Sequence, residues 1–437
     1  MTRLWRSRPT PSQISAIVSQ AVTDGWLEGD RRAVLVHDMD RMSQRLAAVQ
    51  QAFPDNALHA AAIKAQPLVS VLTVLVAQGA GLEAASIEEV ALARAAGCPP
   101  DRIVFDSPAK TERELALALR WGIRINADNP AELERIDTLL AQINSSSTIG
   151  LRLNPALGAG SIATTSVADR RSRFGVSLDD PGEVEALYVR YAWLTGVHLH
   201  VGSQGCTQDL LVRSAVRVAR FISSLHRTLG RTQIRTVDIG GGLPAVYREG
   251  QSIPDVKGYV DALRAATPLL FSDEITLVTE FGRSLHAPCG LAISRVEYVK
   301  EIDGVPLAVL HVGADLLLRA VYRPEEWSHE FVVLGPSGEL RTGPTRGWTL
   351  AGPLCFGGDV ISRCADLPEL RPDDIVVIRD VGAYTLSMWS RHCSRGIPAV
   401  LGLAGAELSM LRREETPASI VAFWGQEPSH AQHQGGD

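Results

Sequence analysis

A lysine near the end of an apolar run, His59-Ala-Ala-Ala-Ile-Lys64-Ala65, is the first residue here that needs a chemical explanation. Its ammonium requires burial or a partner, and a partly buried lysine with a lowered pKa is a nucleophile suited to Schiff-base chemistry. Taken alone, Lys64 is evenly balanced between that role and a lysine whose stem merely snorkels to solvent. Gly240-Gly241-Gly242, after Val237-Asp238-Ile239, leaves backbone N–H groups uncovered by any Cβ, which suits a bound phosphate. An ordinary tight turn would read the same way. His198 and His200 alternate, so on a strand both face one side. One of them can serve as a flat platform in a site and the other as a satisfied core histidine. Arg152, Glu280 and Gly282-Arg283 complete the set.

These residues form one site only if the fold gathers them. From about residue 55 to 285, short apolar runs alternate with helical stretches. Strands are expected over 57–63, 81–85, 102–105, 123–126, 148–153, 196–201, 235–239 and 275–279. Helices such as 68–78, 112–120, 131–142 and 210–229 fall between them. Repeated βα units predict a parallel sheet, and this number of them closes most simply into a (β/α)8 barrel. In such a barrel the ends of the strands share one face, where Lys64, Arg152, His198, His200, the glycines and Glu280 all fall. After Cys289 the rhythm changes. Segments 291–301 and 305–312 read as strands joined at Asp303-Gly304, a hairpin-type turn, with further strands at 346–350 and 375–378. The fold class is therefore α/β: a barrel plus a C-terminal, mostly β domain, completed by an N-terminal strand at 33–36. The expected division is a helical extension over 1–30, a joining strand over 31–38, the barrel over 39–288, the β domain over 289–425 and a flexible tail over 426–437.

Composition excludes several classes. The 437 residues carry 43 Lys plus Arg against 49 Asp plus Glu, a net charge of −6, so no basic surface is available for nucleic acid. Hydrophobic residues at 45% and charged residues at 21% exclude wholesale disorder. The apolar stretch near 68–76 is too short to span a bilayer. Six cysteines without a C-x-x-C pair argue against both a disulfide framework and a clustered zinc site. Arg3, Arg6 and Arg8 resemble the basic start of an export signal. Ile14, Ile17, Val18, Ala21 and Val22 recur at helical spacing, however, and predict an amphipathic helix instead. Reduced thiols, a cytoplasmic location and no membrane partner are expected.

A lysine on one strand, a glycine nest on another and a carboxylate on a third together suggest pyridoxal phosphate. Around them stand Ala62-Ile-Lys64-Ala65, Ser172-Arg-Phe-Gly175, His198-Leu-His200-Val-Gly-Ser203, Asp238-Ile-Gly-Gly-Gly242, Glu280-Phe-Gly-Arg283, Gly352-Pro-Leu-Cys355 with Asp359, and Asp380-Val-Gly-Ala-Tyr384. With these motifs, in this order, the chain resembles the fold-type III pyridoxal-phosphate decarboxylases from about residue 34 to 401. These are the diaminopimelate, ornithine and arginine decarboxylases, built on an alanine-racemase-like barrel. The resemblance implies that Lys64 holds the cofactor covalently and that His200 stacks on its ring. It implies a phosphate site of Ser203, Gly241, Gly242, Arg283 and Tyr384, with Gly282 also cofactor-binding and Glu280 at the pyridine nitrogen. A carboxylate there keeps the ring protonated, a strong sink for the electrons left when CO2 departs. A racemase of this fold, by resemblance, places a cation there, so decarboxylation of an amino acid is expected. Cys355 is implied as the acid that reprotonates the product carbon, in a loop that reaches the partner's site. A homodimer with shared sites follows, with an Arg173–Asp359 salt bridge between subunits.

The substrate-reading positions depart from the family. Phe356 stands where relatives carry an acid for the substrate's distal amine, and an unpaired buried charge costs several kcal/mol, roughly. In Asp315-Leu-Leu-Leu-Arg319-Ala-Val-Tyr322 the arginine is displaced by one from its place in diaminopimelate decarboxylases. In an extended segment that shift turns the side chain to the opposite face. Trp389 is bulky where relatives are smaller. Arg319, Tyr322, Phe356 and Tyr384 are the expected substrate residues, and the substrate is expected to be a modified or specialised amino acid. A racemase or epimerase is the nearest alternative. A metal-dependent barrel hydrolase is another, since His-x-His can bind zinc, but Glu280 is the one acid noted at a strand end and no third histidine joins it. A non-catalytic pyridoxal-binding protein would not need Cys355 and Asp359. No metal is expected.

Overall fold

The computed structural model describes Trp5 and residues 7–425; the tail expected over 426–437, and Arg3 and Arg6, lie outside it. Among the described residues no helix is long and apolar enough to cross a membrane. Strand β1 (Ala33–Asp38) is followed by β2 (Leu58–Ala62), β3 (Gly81–Ala84), β4 (Ile103–Phe105), β5 (Arg124–Ala127) and β6 (Ile149–Asn154). After these come a two-residue β7 (Val176–Ser177), β8 (Leu194–His198), β9 (Thr236–Asp238) and β10 (Thr276–Thr279). All pairings from β2 to β10 are parallel, in the order β5-β4-β3-β2-β10-β9-β8-β6, and β5 pairs with β6 to close the ring. β7 is an appendage on β6. The barrel strands are short and mostly buried along their length, as a parallel sheet covered by helices requires.

Local chemistry starts each helix soon after its strand. Ser86 accepts the Glu89 N–H, Asn129 that of Glu132, Thr207 that of Leu210 and Asp255 that of Gly258. Thr111 and Glu114 form a reciprocal capping box. The helix Gln208–Leu229 stops at Gly230, whose left-handed φ of 63° costs a glycine little.

The chain divides into two units. One holds Asp38–Gly290 and Asp380–Ser387 with the start of the chain; the other holds Thr10–His37, Leu291–Arg379 and the chain from Met388. The second unit contains β11 (Gly290–Ile302), β12 (Val305–Leu310), β13 (Phe331–Leu334), β14 (Arg346–Ala351), β15 (Val360–Leu367), β16 (Ile375–Arg379), β17 (Ala399–Ala404) and β18 (Glu407–Arg412). Its sheet runs β15-β14-β12-β11-β1-β17-β18, with β16 against β11 and β13 against β16. Asp303 and Gly304, both at positive φ, make the β11–β12 turn. The N-terminal strand thus completes the β sheet. The helix Pro11–Thr23 belongs there too: Ile14, Val18 and Ala21 join Val34, Val36, Ile293 and Leu401 in one buried cluster. It is part of that core and not a separate extension.

A division at residue 289 also misses a return. Asp380–Ser387 goes back to the barrel unit, where Gly382 N–H donates to the Ala287 carbonyl at 3.1 Å and Tyr384 N–H to that of Ala65 at 2.9 Å. The crossing is so close that a Cβ on Gly290 would overlap the backbone of Gly382. Gly290→Ala should therefore destabilise the protein by about 1–3 kcal/mol, the usual penalty of overpacking, read from its midpoint in urea. An unchanged midpoint would mean the crossing is loose.

Candidate active site

Lys64 sits in a single helical turn, Ile63–Ala65, just beyond β2. Its Nζ lies 2.5 Å from Oε1 of Glu83, a fully buried residue on β3. Ser387 Oγ donates to the Lys64 carbonyl at 2.7 Å and fixes the turn. β8 ends at His198, so His200 stands past the strand, where Gly241 N–H donates to its Nδ1 at 3.2 Å. A neutral imidazole accepting at Nδ1 carries its proton on Nε2. Close approach explains the glycines: a Cβ on Gly241 would strike the Glu280 carbonyl, and Gly242 has a φ of 109°. Arg283 is buried, and its Nε donates to Ser203 Oγ at 3.0 Å while a terminal nitrogen donates to the Tyr247 hydroxyl at 2.7 Å. Its guanidinium lies 4.6 Å from the centre of the Tyr384 ring. Tyr384 has a φ of 58°, an uncommon value for a bulky residue.

A row of buried titratable side chains runs beside these groups. Arg152 on β6 is 3.8 Å from Asp106, which follows β4; Asp106 is 3.3 Å from His198 Nδ1; His198 Nε2 is 3.7 Å from Glu280, which follows β10. Burial works to raise the Asp106 carboxyl, but His198 and Arg152 outweigh it and hold it far below the usual range. Glu280 goes the other way. Burial, then Asp238, Glu83 and Asp106, push its carboxyl well up, so that it keeps a proton. For Lys64 burial depresses the ammonium, yet Glu83, Glu280, Tyr384 and Asp106 more than reverse this. The expected lowering of the lysine pKa is thereby corrected: its sign depends on acids that come from other strands. His200 is held neutral by burial and by the cations of Arg152 and Lys64.

Nine of the expected residues, Lys64, His200, Ser203, Gly241, Gly242, Glu280, Gly282, Arg283 and Tyr384, belong to the barrel unit. Gly282 packs where a Cβ would press on Ala62 and Ala65. Cys355 and Phe356 lie in the loop between β14 and β15 of the β unit, and the Cys355 thiol is exposed. Asp359, read as an interface residue, is 3% exposed and accepts backbone N–H groups of Ala314 at 2.6 Å and Leu354 at 2.7 Å. It fastens two loops of its own unit. The subunit pairing expected with Arg173 therefore involves a carboxylate its own backbone already engages; the Arg173 guanidinium lies 4.5 Å from the Phe174 ring centre.

Arg319 and Tyr322 are on a short helix, Leu318–Tyr322, and not in an extended segment. One residue there means roughly 100° of rotation, not a reversal, and a residue three before Tyr322 lies on its side of the helix. The inference that Arg319 faces away is corrected accordingly; its guanidinium lies 4.7 Å from the Trp327 ring centre. The Tyr322 and Phe356 rings stack at 5.9 Å with 19° between planes, and His392 meets Phe356 edge-on at 5.8 Å. Arg391 lies 4.1 Å from the Trp389 ring centre. The sequence reading missed Glu83, Asp106 and Tyr247. Glu83 and Asp106 were accessible through the rule that found Lys64, a charge closing an apolar strand. Glu280 is thus not the sole acid at the strand ends, which removes one argument against a metal. Another takes its place, because Arg152 already supplies Asp106 with a fixed cation.

Residues 39–287 match the family described as pyridoxal-dependent decarboxylase, pyridoxal binding domain. The chain belongs to that family. Diaminopimelate decarboxylase of Pseudomonas aeruginosa is 32% identical over 83% of this chain and 85% of its own length. That of Bacteroides thetaiotaomicron is 30% identical over 83% of this chain and 93% of its own. The Helicobacter pylori diaminopimelate decarboxylase, solved with L-lysine, superposes with a TM-score of 0.82 at 26% identity, covering 92% of this chain and 98% of that one. The protein is thus a pyridoxal-phosphate-dependent amino-acid carboxy-lyase.

The decarboxylase's own residues fit that cofactor. Glu280 Oε1 is buried and, among the described residues, has no hydrogen-bond partner, which a basic ring nitrogen would supply. The Arg283 cation suits a phosphate, and of the glycine run the Gly240 and Gly241 amides are engaged by Asp238 and His200. Glu83→Gln removes the strongest charge holding Lys64 protonated. The cofactor-free decarboxylase should then combine with pyridoxal phosphate faster at neutral pH, by about tenfold per pKa unit lost, in stopped-flow absorbance. A slower or unchanged rate would assign the lysine's charge to other groups.

Proposed function

We propose that this decarboxylase acts on an α-amino acid whose far end is not a free ammonium, at a site shared between two copies of the chain. The observation that supports it most directly is Phe356, stacked on Tyr322 and edge-on to His392. An aromatic surface favours a flat, apolar or conjugated group, and it gives a desolvated ammonium far less than a carboxylate would.

When bound, pyridoxal phosphate supplies an electron sink for the pair left at Cα as CO2 departs. Lys64 would hold it through its amine, and neutral His200, tied to Gly241, would lie flat against its ring. Ser203, Gly241, Gly242, Gly282, Arg283 and Tyr384 would hold the phosphate. Glu280 would keep a proton at the ring nitrogen, which favours loss of CO2 over racemisation. Cys355, exposed on a loop pinned by Asp359, would return a proton to Cα. Such exposure in a single chain is what a residue serving a second copy's site requires, and Arg173 would lie at that interface. The six unpaired thiols agree with a reducing, cytoplasmic setting.

A second reading, meso-diaminopimelate, draws on the names of the curated relatives and on the placement of Arg319 on the Tyr322 side of its helix. A CO2-release screen separates the two. Amino acids with acylated, amidated or apolar ends should react with a higher kcat/KM than meso-diaminopimelate, L-lysine or L-ornithine; the reverse order would reinstate the second reading. The shared site has its own test. Lys64→Ala and Cys355→Ala proteins, each inactive alone, should recover up to about a quarter of native activity after subunit exchange, because half of the mixed dimers' sites are intact. No recovery by exchanged dimers would place each site within one chain.

A further inference from the structure

We propose that His198 is a positioning residue for the cofactor ring: held between Asp106 and Glu280, it links the Arg152–Asp106 ion pair to Glu280 and so moves the Glu280 proton onto the ring nitrogen. The inference rests on the reading that Glu280 meets that nitrogen.

The placement of His198 has no explanation in packing alone. It ends β8, its register partners are Arg152 on β6 and Asp238 on β9, and it is fully buried. Each ring nitrogen faces a different acid, Asp106 at 3.3 Å and Glu280 at 3.7 Å. The other charges near it are otherwise engaged. Lys64 is held by Glu83. Asp238 accepts the Gly240 N–H at 2.9 Å and the Asn126 amide at 3.3 Å. His200, beyond the strand, accepts from Gly241. What remains is a row of four, Arg152, Asp106, His198 and Glu280. Along it Arg152 faces Asp106, Asp106 faces one nitrogen of His198, and the other nitrogen faces Glu280, whose Oε1 is buried without a hydrogen-bond partner among the described residues.

Glu280 without such a charge keeps its proton, because burial and the neighbouring acids raise its carboxyl. A basic ring nitrogen at Oε1 offers the proton another seat. The transfer breaks the Glu280 O–H bond and forms the ring N–H bond, leaving a carboxylate between His198 Nε2 and the ring cation. Without His198 that carboxylate loses one of its two polar neighbours, and the proton stays on oxygen. Asp106 acts one step further back, on the Nδ1 side of His198.

The test is the 15N chemical shift of the ring nitrogen in resting holoenzyme loaded with 15N-labelled pyridoxal phosphate, which separates protonated from neutral nitrogen without turnover. The native protein should be protonated at neutral pH. His198→Gln should lower the protonated-to-neutral ratio at fixed pH by about tenfold, one pKa unit, or more. The near-isosteric Asp106→Asn should lower it in the same direction. The double variant should fall no further than His198→Gln alone, since both act along one row. Glu280→Gln is the control. If it leaves the nitrogen signal unchanged, the placement of Glu280 at the ring is wrong. If it shifts the signal while His198→Gln and Asp106→Asn do not, the link through His198 is overturned and the placement of Glu280 stands. Should His198→Gln not fold, Asp106→Asn alone decides.

Discussion

Four carboxylates buried at one end of a barrel set the terms for everything around them. Glu83, Asp106, Asp238 and Glu280 come from or just beyond β3, β4, β9 and β10, and each is at most 8% exposed. A buried charge left without a partner costs several kcal/mol, roughly, so each acid needs a cation, an N–H group or a proton. The structure uses all three. Lys64 answers Glu83, Arg152 and His198 answer Asp106, the Gly240 amide and Asn126 answer Asp238, and Glu280 keeps a proton. Lys64 is thus one term in a charge balance, and its ammonium is held high by the acids it offsets.

That balance depends on a geometry only a closed parallel barrel provides. Strand ends from distant parts of the chain must lie within a few ångströms, and the register does this directly, setting Arg152 beside His198 and His198 beside Asp238. Side chains meet at such distances only where backbones also pass close, which is why Gly241 abuts the Glu280 carbonyl. The same economy brings Tyr384 to Arg283 from beyond the β sheet, through the backbone crossing at Gly290 and Gly382.

Legibility in the sequence follows from range. Alternation of short apolar runs with helical stretches is local, and it disclosed the barrel and the residues closing its strands, Lys64 and Glu280 among them. The face of the first helix was equally plain in Ile14, Val18 and Ala21, but not what covers it, because strands hundreds of residues away supply the cover. Asp106 escaped notice since an acid between a strand and Ser107-Pro108 looks like a turn residue. The sign of the Lys64 shift escaped for a stronger reason: burial is visible in one strand, whereas opposing charge arrives from three others. For Arg319, the run Leu316–Leu318 looked extended, and a five-residue helix carries too little periodicity to contradict it.

The cofactor was easier to read than the substrate for a physical reason. Groups that would meet the cofactor are backbone amides and strand-end charges, whose replacement would disturb the barrel itself. Phe356 is held differently. Its loop takes shape from Asp359, which binds the amides of Ala314 and Leu354 and fits against Gly313 and Gly352, where no Cβ could stand. None of those contacts uses the side chain at 356. The Phe356 ring adds its own packing, over Gly358 and against Tyr322 and His392, on a loop whose path the Asp359 contacts set separately from the charge balance of the barrel.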